Sequence, residues 1–179
     1  MNEFGIALCF DSVTEAKLGI LQEQLKIQNI KSHEAVCYTR PHVTLAVVKG
    51  GKLSELVKSI ELLSKKYECI SGEINGVGLY PQGNNDVFLT FVPNQSLREF
   101  HYDCLKSLAS GFASFESYHQ SERWVPHCTI GYTLSEANLP LAIQMCRNSV
   151  VFGVMSLVEL VVVDISTETE VCNYILSKN

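Results

Sequence analysis

The chain has 179 residues with a net charge of −5, 46% hydrophobic and 18% charged residues. That is enough chain to bury a core without staples, and the balance excludes intrinsic disorder. An acidic chain does not grip long duplex nucleic acid through its phosphates, although a local basic pocket for a small phosphorylated ligand or an oligonucleotide end remains compatible with it.

The seven cysteines are odd in number and form no C-x-x-C, and five fall inside apolar runs, so they read as reduced thiols of a cytoplasmic protein. The N-terminus MNEFGIALCFD has neither the basic start nor the long apolar centre of a signal peptide, and no run is long enough to span a membrane.

Residues 4–10 (FGIALCF) are a short apolar run that predicts a strand buried on both faces. An amphipathic helix follows, capped by Asp11 or Ser12, with Val13, Leu18, Leu21 and Leu25 on its apolar face. Residues 37–50 (CYTRPHVTLAVVKG) predict a strand ending at Gly-Gly. Residues 52–66 predict a second helix through Leu53, Leu56, Val57, Ile60 and Leu63. Residues 67–80 and 86–93 predict a hairpin around PQGNND, the first strand interrupted by glycines. Residues 96–112 predict a third helix on Leu97, Phe100, Leu105 and Leu108. A polar loop leads to a strand at 127–133, a short helix within 134–148, one or two strands at 150–166 and a last strand from 169.

Strand, helix, strand, helix therefore occurs twice. In each copy the second strand opens with Pro-His-x-Thr, as PHVT from Pro41 and PHCT from Pro126. Alternation in a strand puts His42 with Thr44 on one face, and His127 with Thr129 on one face. The repeat predicts an α+β fold of two lobes related by an approximate two-fold, with two antiparallel sheets lining a central groove and helices outside. Residues 1–179 would form this single two-lobed domain. Two imidazoles meeting there could serve as general acid and general base near neutral pH, and two hydroxyls could donate to phosphate oxygens. A lone H-x-T is an ordinary structural histidine. Two in equivalent places of a repeated topology point to one phosphodiester site without a metal.

PHVTLAVV and RWVPHCTIGY resemble the paired signatures of the two-histidine (2H) phosphoesterase superfamily, which includes 2'-5' RNA ligase-like proteins and cyclic nucleotide phosphodiesterases. GIALCFD and INGVGLYPQGNNDVFLTFV are similar to that family's opening strand and central hairpin, so the resemblance covers nearly the whole chain. It implies a grooved α+β fold and metal-independent hydrolysis or transfer at a 2',3'-cyclic phosphate or a 2',5' linkage. His42 and His127 would then be catalytic, with Thr44 and Thr129 holding phosphate.

Arg40 and Arg123 are further candidate phosphate ligands. Tyr38, Phe88, Trp124 and Tyr132 flank the expected groove, where an aromatic face could stack a base, although Phe88 reads first as a core-packing residue. His33, His101 and His119 belong to no motif, and the last two read as surface residues. No spacing suggests a metal site or a cofactor loop. The expected partner is a small nucleotide or short RNA end, bound by a monomer. The rival reading is a module that binds such a ligand without turning it over.

Overall fold

The computed structural model describes residues 2–30, 40–80, 85–92, 94–109, 111–112 and 119–177. The elements run β1 (Glu3–Phe10), α1 (Ser12–Ile27), β2 (His42–Lys49), α2 (Leu53–Ser64), β3 (Ile70–Leu79), β4 (Val87–Phe91), α3 (Gln95–Leu108), β5 (His127–Gly131), α4 (Leu139–Asn148), β6 (Gly153–Asp164) and β7 (Thr169–Ile175). This is the order expected from the sequence. The expected strand residues 37–39 lie outside the described residues.

Local chemistry sets the helix starts. The Asp11 carboxylate accepts from the backbone N–H groups of Val13 and Thr14, both at 3.0 Å, which fixes the β1–α1 junction. Asn94 caps α3 in the same way through Leu97 N–H. Leu18, Leu21 and Leu25 of α1 are fully buried, whereas Val13, expected on the same face, is 65% exposed in the first turn.

The expectation of two sheets is overturned. Among the described residues the strands form one seven-stranded antiparallel sheet in the order β2-β1-β6-β3-β4-β5, with β7 also on β6. The cause is β6, twelve residues long and therefore able to serve both halves. Its later part pairs with β1 along one edge and with β7 along the other. Its early part, from Gly153 to Leu157, pairs with β3. Leu157 sits opposite both Phe10 and Ile70 and is the seam. A repeated unit could have built two sheets; a shared central strand fuses them.

Each motif strand pairs antiparallel with the strand before its helix, β2 with β1 and β5 with β4. These two motif strands end the strand order, yet β2 and β5 lie against each other, so the sheet curls until its ends meet. The junction is bonded. The indole N–H of Trp124 donates to the Thr44 carbonyl at 2.9 Å. The His42 backbone N–H reaches the Cys128 sulfur. His101 of α3 lies flat on Trp124, ring centroids 4.0 Å apart, and binds the Leu45 carbonyl through Nε2 at 3.0 Å.

His101 and His119 are thus not surface residues; they are 1% and 4% exposed. The residues around α3 look polar in sequence, but His101 is turned inward to brace the sheet closure. Burial pushes both imidazoles down to about 4, although the Leu45 and His119 carbonyls favour the proton on His101.

Removing the Leu160 side chain should test the shared strand. Leu160 is fully buried and sits opposite Leu8 on one side and Tyr174 on the other. Leu160→Ala is expected to cost about 2–5 kcal/mol in urea unfolding. The buried histidines give a pH signature. The unfolded chain takes up their protons first, so stability is undiminished above about pH 6.5 and is lost as pH falls toward about 4. Each histidine accounts for a loss of up to roughly 3 kcal/mol, at about 1.4 kcal/mol per pH unit. The urea midpoint should fall between pH 7 and pH 4.5, and fall less in His101→Gln, which keeps a donor without the titration.

Candidate active site

Both motif strands read alternately half-buried and buried, His42-Val43-Thr44-Leu45 in β2 and His127-Cys128-Thr129-Ile130 in β5. The apolar members fill the core, Val43, Leu45, Cys128 and Ile130 being fully buried. The histidines and threonines therefore take the other face of each strand, as the alternation requires.

The two histidines are held alike. His42 Nδ1 lies 2.8 Å from the Arg40 carbonyl, and His127 Nδ1 lies 2.7 Å from the Val125 carbonyl. A carbonyl only accepts, so Nδ1 carries hydrogen in both rings and Nε2 is left as the nitrogen that takes or gives a proton. The proline of each motif explains the repeat. It fixes its own φ near −65° and drives the residue before it to an extended conformation. That sets the carbonyl two residues before each histidine within reach of the ring. Pro-His is thus a device for one tautomer, used twice.

The surroundings of the two rings differ. In β1 the partner of His42 is Cys9, which is itself opposite Glu159 of β6. Arg40 is engaged by carboxylates. Its Nε and Nη2 donate to the two oxygens of Glu15 at 2.9 and 3.1 Å, and Nη2 also meets Glu159 at 2.7 Å. The Glu15 bonds, opposed by desolvation and aided by Glu159, raise the guanidinium further above its ordinary value. Burial pushes the Cys9 thiol up to about 12, the nearby Arg40 charge opposing it, so this thiol stays protonated.

His127 sits among aromatic rings. Phe88 and Tyr80 have centroids 5.0 and 5.5 Å from its own, and they pack on each other at 4.6 Å. The Tyr80 hydroxyl lies 3.3 Å from Nε2 and 3.4 Å from Nδ1. Burial lowers the His127 pKa, against the raising effect of its bond to Val125. Glycine makes room for this wall. Phe88 faces Gly78 across the β3–β4 ladder, and any Cβ there would strike the Phe88 ring. Gly78, one of the glycines that interrupt the strand in sequence, is therefore part of this wall.

A cavity of about 170 Å³ opens beside His127, lined by Tyr80, Phe88, His119, Arg123, Trp124, Val125 and His127 itself. It is below the roughly 300–1,000 Å³ of a drug-sized pocket and is on the scale of a single base. Trp124 is expected in the sequence to bind substrate; it lines this cavity while its N–H serves the Thr44 carbonyl. Tyr132 is half-buried and follows the end of β5, next to Thr133, whose N–H donates to Asp86 at 2.8 Å. Tyr38 and His33 lie outside the described residues. Tyr80 and His119 were not legible as site residues, since neither stands in a motif. The glycine spacing 76, 78 followed by Tyr80 is the signal, because it places Tyr80 in step with the residues opposite Thr90 and Phe88. Among the described residues, no group of three or more His, Cys, Asp or Glu is placed to hold a metal ion, and no helix is long and apolar enough to cross a membrane.

The fold has counterparts among known structures. E. coli LigT in its apo form superposes with a TM-score of 0.66 at 13% identity, over 99% of this chain and 98% of that one. A crystal structure described as a phosphoesterase gives 0.67 at 13% identity, over 99% and 100%. A protein of Thermus thermophilus gives 0.66 at 14% identity over the whole of both chains. At such identities these likenesses establish the fold. No curated protein sequence matches the chain. The model of the 2'-5' RNA ligase superfamily matches residues 21–167, which contain both Pro-His-x-Thr strands and the hairpin between them. The chain belongs to this superfamily and is a two-histidine phosphoesterase.

Proposed function

We propose that His42 and His127 are the proton-transfer pair of a metal-independent phosphodiesterase that opens 2',3'-cyclic phosphates or cleaves related 2',5' linkages at nucleotide or short RNA ends. The observation that carries this is the paired fixing of the imidazoles. Two histidines on adjoining strands each have Nδ1 tied to a backbone carbonyl, at 2.8 and 2.7 Å, so each has Nε2 for chemistry.

The chemistry follows from the surroundings. Burial keeps His127 neutral to lower pH than a free imidazole, which suits a general base. It takes a proton from the attacking water as the water oxygen bonds to phosphorus. The bond from phosphorus to the 2' or 3' oxygen breaks, and His42, starting protonated, gives that oxygen its proton. Thr44 and Thr129 donate to the non-bridging oxygens, where charge develops. The aromatic cavity beside His127 receives the base. E. coli LigT has been crystallised with 3'-AMP and with phosphate, and those ligands have the chemistry that this site would hold. The reading treats residues 1–179 as one domain acting as a cytoplasmic monomer, and gives Trp124 and Tyr132 to substrate binding. Free thiols at Cys9, Cys104, Cys128 and Cys146 accord with a reducing compartment.

Assays on 2',3'-cyclic nucleotides and 2',5' dinucleotides test this. His42→Ala and His127→Ala should each lower kcat about 10²–10⁴-fold, and the double variant should lose less than the product. Thr44→Val and Thr129→Val should each cost about tenfold or more. The wild-type rate should rise with pH through the lowered His127 pKa and fall again where the general acid is no longer protonated. A wild type that binds nucleotides but turns over none of them would instead make the protein a binding module. Turnover should also survive EDTA. A loss restored by a divalent ion would move the chemistry to a metal.

A further inference from the structure

Among the groups around the two histidines, Arg40 behaves unlike the rest. In sequence it is a candidate phosphate ligand. In the fold its fork is spent on two carboxylates from two other elements, Glu15 of α1 and Glu159 of β6. Glu159 is 8% exposed, so little water competes for it. The carbonyl of this same Arg40 accepts the His42 Nδ1–H.

We infer that Arg40 is a positioning residue for His42: the Glu15–Arg40–Glu159 clamp fixes the main-chain carbonyl that selects the imidazole's tautomer and aims its Nε2.

The inference rests on the reading of His42 as a proton-transfer group. Three points support it. First, Arg40 lies just before β2, whose first residue is His42, so β-ladder bonds do not begin until after it. The carbonyl needs another anchor, and a guanidinium with bidentate geometry to Glu15 supplies one. Second, the clamp ties that anchor to the core of the sheet. Glu159 faces Cys9, and Cys9 faces His42, so the clamp reaches from the start of β2 across β1 to β6. Third, the other half of the site is anchored differently. The corresponding carbonyl belongs to Val125, whose side chain is 57% exposed, and His127 is instead walled by Phe88 and Tyr80. One histidine is held by charge and the other by ring packing.

Positioning and phosphate binding give opposite kinetic signs. Arg40→Lys keeps the charge but cannot form the two-pronged bond. Glu15→Gln weakens the clamp and leaves Arg40 and Glu159 in place, which spares the buried carboxylate from losing its partner. If Arg40 positions His42, both variants should lower kcat about tenfold, with KM and the Kd for inorganic phosphate within about twofold of wild type. In ¹⁵N-labelled protein, at a pH high enough for His42 to be neutral, its signals should change from the Nδ1–H tautomer to a mixture, with His127 unchanged. If Arg40 binds phosphate, Arg40→Lys weakens inorganic phosphate binding about tenfold and Glu15→Gln, by releasing the guanidinium, strengthens it. That pattern, or an unchanged His42 tautomer in both variants, overturns the inference. The tautomer signal is read without substrate. A wild type without turnover would sink the functional reading, while the clamp would still stand or fall on the nitrogen spectra.

Discussion

The closure of the sheet on itself is the constraint on which the site depends. β2 and β5 are the two ends of the strand order, and a flat sheet would hold them farthest apart. Curling brings them together, and the Trp124 N–H, donated to the Thr44 carbonyl at 2.9 Å, locks the seam. This bond joins a motif residue of one strand to a near neighbour of the other motif. The stack of His101 on Trp124 backs the seam from α3. This buried histidine is neutral near pH 7 and gives its N–H to the Leu45 carbonyl while its ring face lies on Trp124, so the cost of taking it out of water is offset in part.

Two-fold repetition holds the two histidines alike, and departures from it give them the different surroundings on which the proposed division of labour rests. The Nδ1-to-carbonyl bond is the same in both motifs, and so is the preceding proline. Around His42 lie Arg40, two glutamates and a protonated thiol. Around His127 lie rings and low polarity. A charged surrounding and an apolar one make two identical side chains chemically distinct, which an acid–base pair requires. The net charge of −5 is compatible with the proposed anionic ligand, whose charge would be met by hydroxyl and imidazole donors and not by a basic surface.

Much of this was legible in the sequence where it rested on local pattern. The alternation in HVTL and HCTI places histidine and threonine on one face, and the buried Val43, Leu45, Cys128 and Ile130 confirm the face opposite. Asp11 as a cap, the glycine-broken hairpin strand and the repeated element order were legible for the same reason. What depended on distant partners was not. Nothing in VVFGVMSLVELVVVDIS tells that one strand will serve β1 on one edge and both β3 and β7 besides, so from sequence a fused sheet reads as two. Arg40 looks like a phosphate ligand until Glu15 and Glu159, far along the chain, arrive beside it. His101 sits in a polar-looking helix, and only the stack on Trp124 explains its burial.

A crystal structure of the protein with a nucleoside–vanadate complex, which mimics the five-coordinate phosphorus of the reaction, tests the central claim most directly. The account predicts vanadium between the two Nε2 atoms of His42 and His127, with the Thr44 and Thr129 hydroxyls on its equatorial oxygens and the base against the Phe88–Tyr80 wall. Vanadate bound away from either imidazole, or held by the Arg40 guanidinium in place of the threonines, would contradict it.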